Sequence, residues 1–181
     1  MRIMNRTISF LLVILLAALA GCTTVDADLG PAPGPEPVTD DRPLVTWNRL
    51  MNETLPVVTE ALAEEGDDFY ARGFVLSREG GVRSVHMSPS VGRDHAERVN
   101  LLFNSIEAMM AGDVIVAFVV FAPASGHLIN RPEEDRLLVA HLEHLSGRAL
   151  LRKFSYTRQG DDVELGAEEV DQVAPVIFQP Q

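Results

Sequence analysis

The chain has 181 residues, of which 46% are hydrophobic, and its 15 Lys and Arg against 26 Asp and Glu give a formal net charge of −11. This acidity argues against nucleic-acid binding, which needs a basic surface, and against electrostatic adhesion to anionic lipids. It is compatible with solubility, with a cationic ligand or with a basic protein partner.

The start of the chain has the three-part order of a secretory signal peptide. Arg2 and Arg6 form a short positive region, residues 8–20 are almost entirely apolar, and small residues precede Cys22. The apolar stretch is shorter than the roughly 20 residues that a transmembrane helix needs. We therefore expect residues 1–21 to be a signal peptide.

Leu19-Ala20-Gly21-Cys22 resembles the lipobox of bacterial lipoproteins. The resemblance implies that the preceding peptide is removed, that the Cys22 thiol receives diacylglycerol, and that the new amino terminus is acylated, for example with palmitate. Two or more acyl chains anchor a protein stably, so the resemblance implies attachment to a membrane of the cell envelope. The next residue, Thr23, is not the aspartate linked with inner-membrane retention. In a Gram-negative source this favours the periplasmic face of the outer membrane.

Cys22 is the only cysteine, so a lipidated chain has no thiol left for a disulfide or for catalysis. Residues 22–43 are predicted to be a linker, because five prolines alternate there with Ala, Gly and acidic residues. At about 3.1 Å per residue, roughly 20 residues of proline-rich chain reach on the order of 60 Å. Residues 44–181 are expected to form a single domain.

The domain is predicted to begin with a helix, because apolar residues recur three or four apart over residues 44–65. Pro56 is expected to kink or break this helix, with Thr54 capping a second segment. Gly66 is expected to end it.

A hairpin and a second helix follow. The glycines of residues 78–81 predict a tight turn between strands at 69–77 and 82–88. Asp94 begins a capping-box spacing, and the apolar stripe after it predicts a helix over residues 94–111.

The remaining elements are expected to be strands. Residues 114–122 are nine apolar residues in a row, which indicates a central strand buried on both faces and ended by Pro123. Residues 136–145 fit either a helix or a strand, and we favour a strand leading into further strands at 149–157 and 163–165. The sequence thus predicts an α+β fold, a single domain with one largely antiparallel sheet packed by two principal helices.

Four histidines are candidate metal ligands: His86, His127, His141 and His144. On a helix, His141 and His144 would share a face and bind zinc with a third ligand such as His127 or His86. On a strand they would point to opposite faces. Neither a His-Glu-x-x-His motif nor a Gly-x-Ser-x-Gly elbow occurs in the sequence.

Residues 161–171 contain six acids and no base. A solvated turn and tail is the default interpretation. Calcium binding would need an EF-hand spacing that is missing here, and a docking surface for a basic partner is the other alternative.

These features predict a membrane-tethered envelope lipoprotein with a non-catalytic domain that binds a protein or supports an assembly. A narrower version is an immunity-type inhibitor that neutralises an exported toxin with its acidic surface. The alternative is a periplasmic metal-binding protein or a hydrolase that uses the four histidines. Apart from the lipid on Cys22, no cofactor is expected.

Overall fold

The computed structural model describes most of the chain after the predicted linker. The described residues are 34, 37–38, 42–85, 87, 94–112, 115–125, 128, 136–160 and 162–179. The predicted signal peptide, Cys22, His86 and His127 lie outside them.

The described residues form two α-helices and one six-stranded sheet. The helices are α1 (Pro43–Glu65) and α2 (His95–Met110), and the strands are β1 (Arg72–Ser77), β2 (Val82–Val85), β3 (Ile115–Ser125), β4 (Arg136–His144), β5 (Arg148–Gln159) and β6 (Asp162–Val173). The strand order is β2-β1-β3-β4-β5-β6, and every pairing is antiparallel. The predicted α+β fold is confirmed.

The two helices cover opposite faces of the sheet. Val119 and Phe121 of β3 belong to the core that includes the buried side of α1. Phe118 and Val120 alternate with them and belong to the second core, together with Leu102 of α2. β3 is therefore the central strand buried on both faces that its apolar run predicts.

β3 does not end at Pro123, as the sequence predicted, but continues to Ser125. The pairing of β1 with β3 stops where Arg72 lies opposite Phe121. Beyond that point, among the described residues, β3 has a neighbour only in β4. A proline is tolerated on such an edge because no ladder hydrogen bond is lost there.

α1 is one helix through Pro56, so the predicted break is wrong. Pro56 has no N–H to donate to the carbonyl of Asn52, but Asn52 and Pro56 are exposed, and water can serve that carbonyl. Thr54 does not cap a second segment: its hydroxyl lies inside the helix and donates to the carbonyl of Leu50 at 2.8 Å. Gly66 ends the helix at a φ of +59°, as predicted.

The second half of the sheet is an antiparallel meander, which confirms the strand interpretation of residues 136–145. Gly147 and Gly160 have positive φ in the two turns that join β4, β5 and β6. β6 has twelve residues, where the sequence predicted a strand only at 163–165. β6 is also an edge of the sheet, and the other edge is the four-residue strand β2.

Part of the chain before α1 contacts the domain. The N–H of Val38 donates to the carbonyl of Arg78 at 3.0 Å, in the turn between β1 and β2. The Val38 side chain packs against the core on the α1 side of the sheet.

Candidate functional site

The strand β4 separates the two histidines that a helix would have paired. His141 contacts the rings of Phe103 and Phe118 on the α2 side of the sheet. His144 is buried on the other side, where its ring packs edge-on against Trp47 of α1. No group of three His, Cys, Asp or Glu side chains among the described residues is placed to hold a metal ion.

His144 has a local partner. Its Nδ1 accepts a hydrogen bond from the backbone N–H of Ser146 at 3.0 Å and lies 2.9 Å from the Ser146 hydroxyl. These contacts hold the ring over the turn that joins β4 to β5. His144 thus has a structural role in the hairpin.

Glu143 is the most unusual polar residue of the described chain, because its side chain is 0% exposed. Its Oε1 accepts hydrogen bonds from the backbone N–H of Val176 at 2.6 Å and from His141 Nε2 at 2.8 Å. Its Oε2 accepts from the N–H groups of Ile177 and Phe178, both at 2.9 Å. One carboxylate therefore satisfies three consecutive backbone donors and a histidine.

These bonds fasten the C-terminal segment, residues 174–179, to the sheet. Phe178 of that segment is buried, and its ring stacks on Phe118 at a centroid distance of 5.9 Å. Because Glu143 is enclosed and its lone pairs are occupied, the His141–Glu143 pair has the geometry of a structural clasp. The sequence analysis noted Glu143 only as the residue between two histidines.

Opposing effects set the acidity of Glu143. Burial alone would raise the pKa of its carboxyl group, but the hydrogen bonds from His141, Phe178, Val176 and Ile177 all lower the pKa, and together they hold it below the ordinary value of 4.5. The charged form is thus the one that the folded protein favours.

We expect the protein to lose stability on acidification through this carboxylate. The contribution of Glu143 is fully present above the ordinary carboxyl pKa and is lost as the pH falls through the lower pKa of the folded state. Urea unfolding between pH 7 and pH 3 measures this loss, with Glu143→Gln as the reference that lacks the titrating group. Stability curves of the two proteins that run parallel between pH 5 and pH 3 would contradict the assignment.

The acidic stretch is not the turn and tail that the sequence suggested. The acids of residues 162–171 lie in β6, and Asp161 lies outside the described residues. Arg152 of β5 pairs with Glu168 through its Nη2 at 3.0 Å. Lys153 Nζ lies 2.5 Å from Asp171 Oδ2. Pairing with β5 overrides the poor strand propensity of Asp, Glu and Gly.

A pocket of about 550 Å³ lies between the second half of α1 and the start of β6. We call it pocket A. Met51, Leu55 and Thr59 line it from one face of α1, since they are spaced by four residues. Val163 and Leu165 line it from β6.

A second pocket of about 550 Å³, pocket B, lies between the start of α1 and the end of β6. Its lining includes Leu44 and Trp47 of α1, Leu150 of β5, and Val170 and Val173 of β6. Leu44 is 65% exposed and Val170 is 55% exposed. Such exposure of large apolar side chains beside a pocket is typical of binding surfaces.

Pockets A and B together form the α1–β6 groove. Along β6, Glu168 lies between Leu165 of pocket A and Val170 of pocket B. The described residues that line the two pockets include no His, Cys or Ser. The groove therefore has the composition of a surface that binds, and not of a catalytic centre.

Sequence reasoning missed this groove. The signal was present in the alternation of Val163 and Leu165 and in the spacing of Val170 and Val173. The five acids between residues 162 and 171 concealed it, because they favour an interpretation as solvated chain.

Among the described residues, no helix is long and apolar enough to cross a membrane. No family model, no curated protein and no solved structure matches the chain.

Proposed function

We propose that the chain is a lipid-anchored protein of the cell envelope whose folded domain binds another protein through the α1–β6 groove. The anchor part of the proposal rests on the lipobox resemblance of residues 19–22 and on the signal-peptide pattern before it. The binding part rests on the groove itself. In a Gram-negative source the proposed location is the periplasmic face of the outer membrane.

The observation that carries the binding role is the exposure of apolar side chains on both walls of the groove. Leu44 on α1 and Val170 on β6 face a shared pocket whose floor contains the buried residues Trp47 and Leu150. Removing such side chains from water by contact with a partner contributes about 25 cal/mol per Å² of apolar surface. Exposed apolar walls above a buried floor give a partner both area and shape.

The charge of the domain supports a basic partner. β6 carries five carboxylates and no cationic side chain, and the whole chain has a net charge of −11. Complementary charge speeds the encounter of two proteins and suppresses wrong partners. An exported basic toxin, neutralised as by an immunity protein, is a narrower partner of this chemistry.

Crosslinking from two matched positions tests the proposal. A photoreactive amino acid at Val170, in pocket B, is expected to capture a discrete protein in the native envelope. Val57 of α1 is the control, because it is also an exposed valine, at 48%, and does not line either pocket. Equal capture from both positions, or none from Val170, would contradict the proposal.

A further inference from the structure

β6 offers a free edge of unusual length. Among the described residues it pairs with β5 and with no other strand. Its twelve residues extend for roughly 40 Å at about 3.4 Å per residue. The outward N–H and C=O groups of such an edge are a template for another strand.

The charge of this edge selects against some occupants. Residues 162–173 contain five carboxylates and no Lys, Arg or His. A second copy of the chain, paired edge to edge through β6, would bring these carboxylates together, and like charges on neighbouring strands destabilise the pair. A segment with arginine or lysine would gain from the same arrangement.

The groove lies beside this edge on the α1 face of the sheet. Leu165 and Val170 point to that face, since their partners on β5 are Tyr156 and Arg152, four residues apart in the neighbouring strand. Side chains on one face of a strand recur every second residue. An added strand would therefore place two apolar side chains, four residues apart, over pockets A and B.

The position between those two side chains faces a carboxylate. Glu168 lies between Leu165 and Val170 on the same face, opposite Phe154 of β5. A cation midway between the two apolar residues of an added strand would come next to Glu168. The opposite face of β6 presents Glu164 and Glu169, so cations are favoured there as well.

We propose that the partner contributes an extended segment that joins β6 as a seventh strand, with two apolar side chains four residues apart and arginine or lysine between them. This inference rests on the proposed function, because it names the way in which the groove is used. Backbone hydrogen bonds supply affinity in this mode of recognition, and the pockets supply specificity.

Selection of random peptides displayed on phage tests the inference without knowledge of the partner. The target is the full lipidated chain in detergent. Enriched peptides are expected to carry arginine or lysine between apolar residues four positions apart. Selection of no peptide, or of peptides without cations, would overturn the inference.

Hydrogen–deuterium exchange with a selected peptide then locates the contact. The outward amides of residues 162–173 are expected to exchange at least about tenfold more slowly when the peptide is bound, because strand pairing protects them. Protection confined to α1 would overturn strand addition while leaving binding by the groove intact. The proposed function fails separately, if crosslinking from Val170 captures nothing.

A charge-reversed variant provides the second measurement. Glu164→Arg is expected to weaken peptide binding roughly five- to tenfold, because an attraction at the edge becomes a repulsion. Glu107→Arg, on the exposed face of α2, is the matched control and is expected to leave binding unchanged. Equal effects of the two variants would overturn the inference. So would a dimer of the peptide-free chain whose β6 amides are already protected, since a second copy would then occupy the edge.

Discussion

Replacing Glu143 with alanine is expected to lower the free energy of unfolding by about 3–5 kcal/mol. The change removes the acceptor of three backbone N–H groups, those of Val176, Ile177 and Phe178, and the partner of His141. Buried donors without an acceptor pay their full desolvation cost. Urea unfolding at pH 7 measures the loss, which is a large share of the stability of an ordinary domain.

Two controls separate the clasp from a general effect of losing a carboxylate. Glu107→Ala removes an exposed carboxylate from α2 and is expected to change stability by less than about 0.5 kcal/mol. Glu143→Gln keeps the shape of the side chain but directs an NH₂ group at backbone donors, so it should still destabilise. Limited proteolysis should cut residues 174–179 first in both Glu143 variants. A loss of under about 1 kcal/mol in Glu143→Ala would contradict the assignment.

Replacing Cys22 with alanine is expected to abolish lipid attachment. The lipobox resemblance makes the Cys22 thiol the acceptor of diacylglycerol and places cleavage before this residue. The variant should therefore incorporate no radiolabelled palmitate and should keep the 21 residues that precede the cysteine. Metabolic labelling and the intact mass of the purified chain measure the two effects.

The control for this prediction is the neighbouring residue. Thr23→Ala leaves the lipobox residues unchanged and should be labelled and processed as the unaltered chain is. A Cys22→Ala chain that still takes up palmitate, or that still loses its first 21 residues, would refute the anchor. The folded domain would then need another explanation for its exported, disulfide-free sequence.

The two parts of the account can be tested independently. Glu143 and the C-terminal segment lie on the α2 side of the sheet, where Phe178 packs on Phe118. The α1–β6 groove lies on the other side, lined by α1. A Glu143 variant that remains folded should therefore keep the groove, and a substitution at Val170 should leave the clasp in place.

Regular patterns in the sequence predicted most of the fold. The cap at Asp94, whose Oδ1 accepts from the N–H of Glu97 at 2.7 Å, marks the start of α2 as expected. The apolar run of β3 predicted a strand covered on both faces, because no exposed face would tolerate it. These elements were predictable since their local propensity and their burial agree.

The candidate site was not predictable in the same way. β6 consists largely of residues that disfavour strands, and its length depends on register with β5, which lies far from local sequence signals. Glu143 gains its role from the C-terminal segment more than 30 residues later, through contacts that only the tertiary fold creates. The strand alternation of β4, in turn, separates His141 from His144 and removes the metal site that a helix would have offered.

Crosslinking from position 170 in the native envelope tests the central claim, that a tethered domain binds a protein through the α1–β6 groove, most directly. We predict that Val170 captures one dominant partner, that Val57 does not, and that the crosslinked residue of the partner lies in an extended segment rich in arginine or lysine. Capture of the same proteins from both positions, or of none from Val170, would contradict the claim.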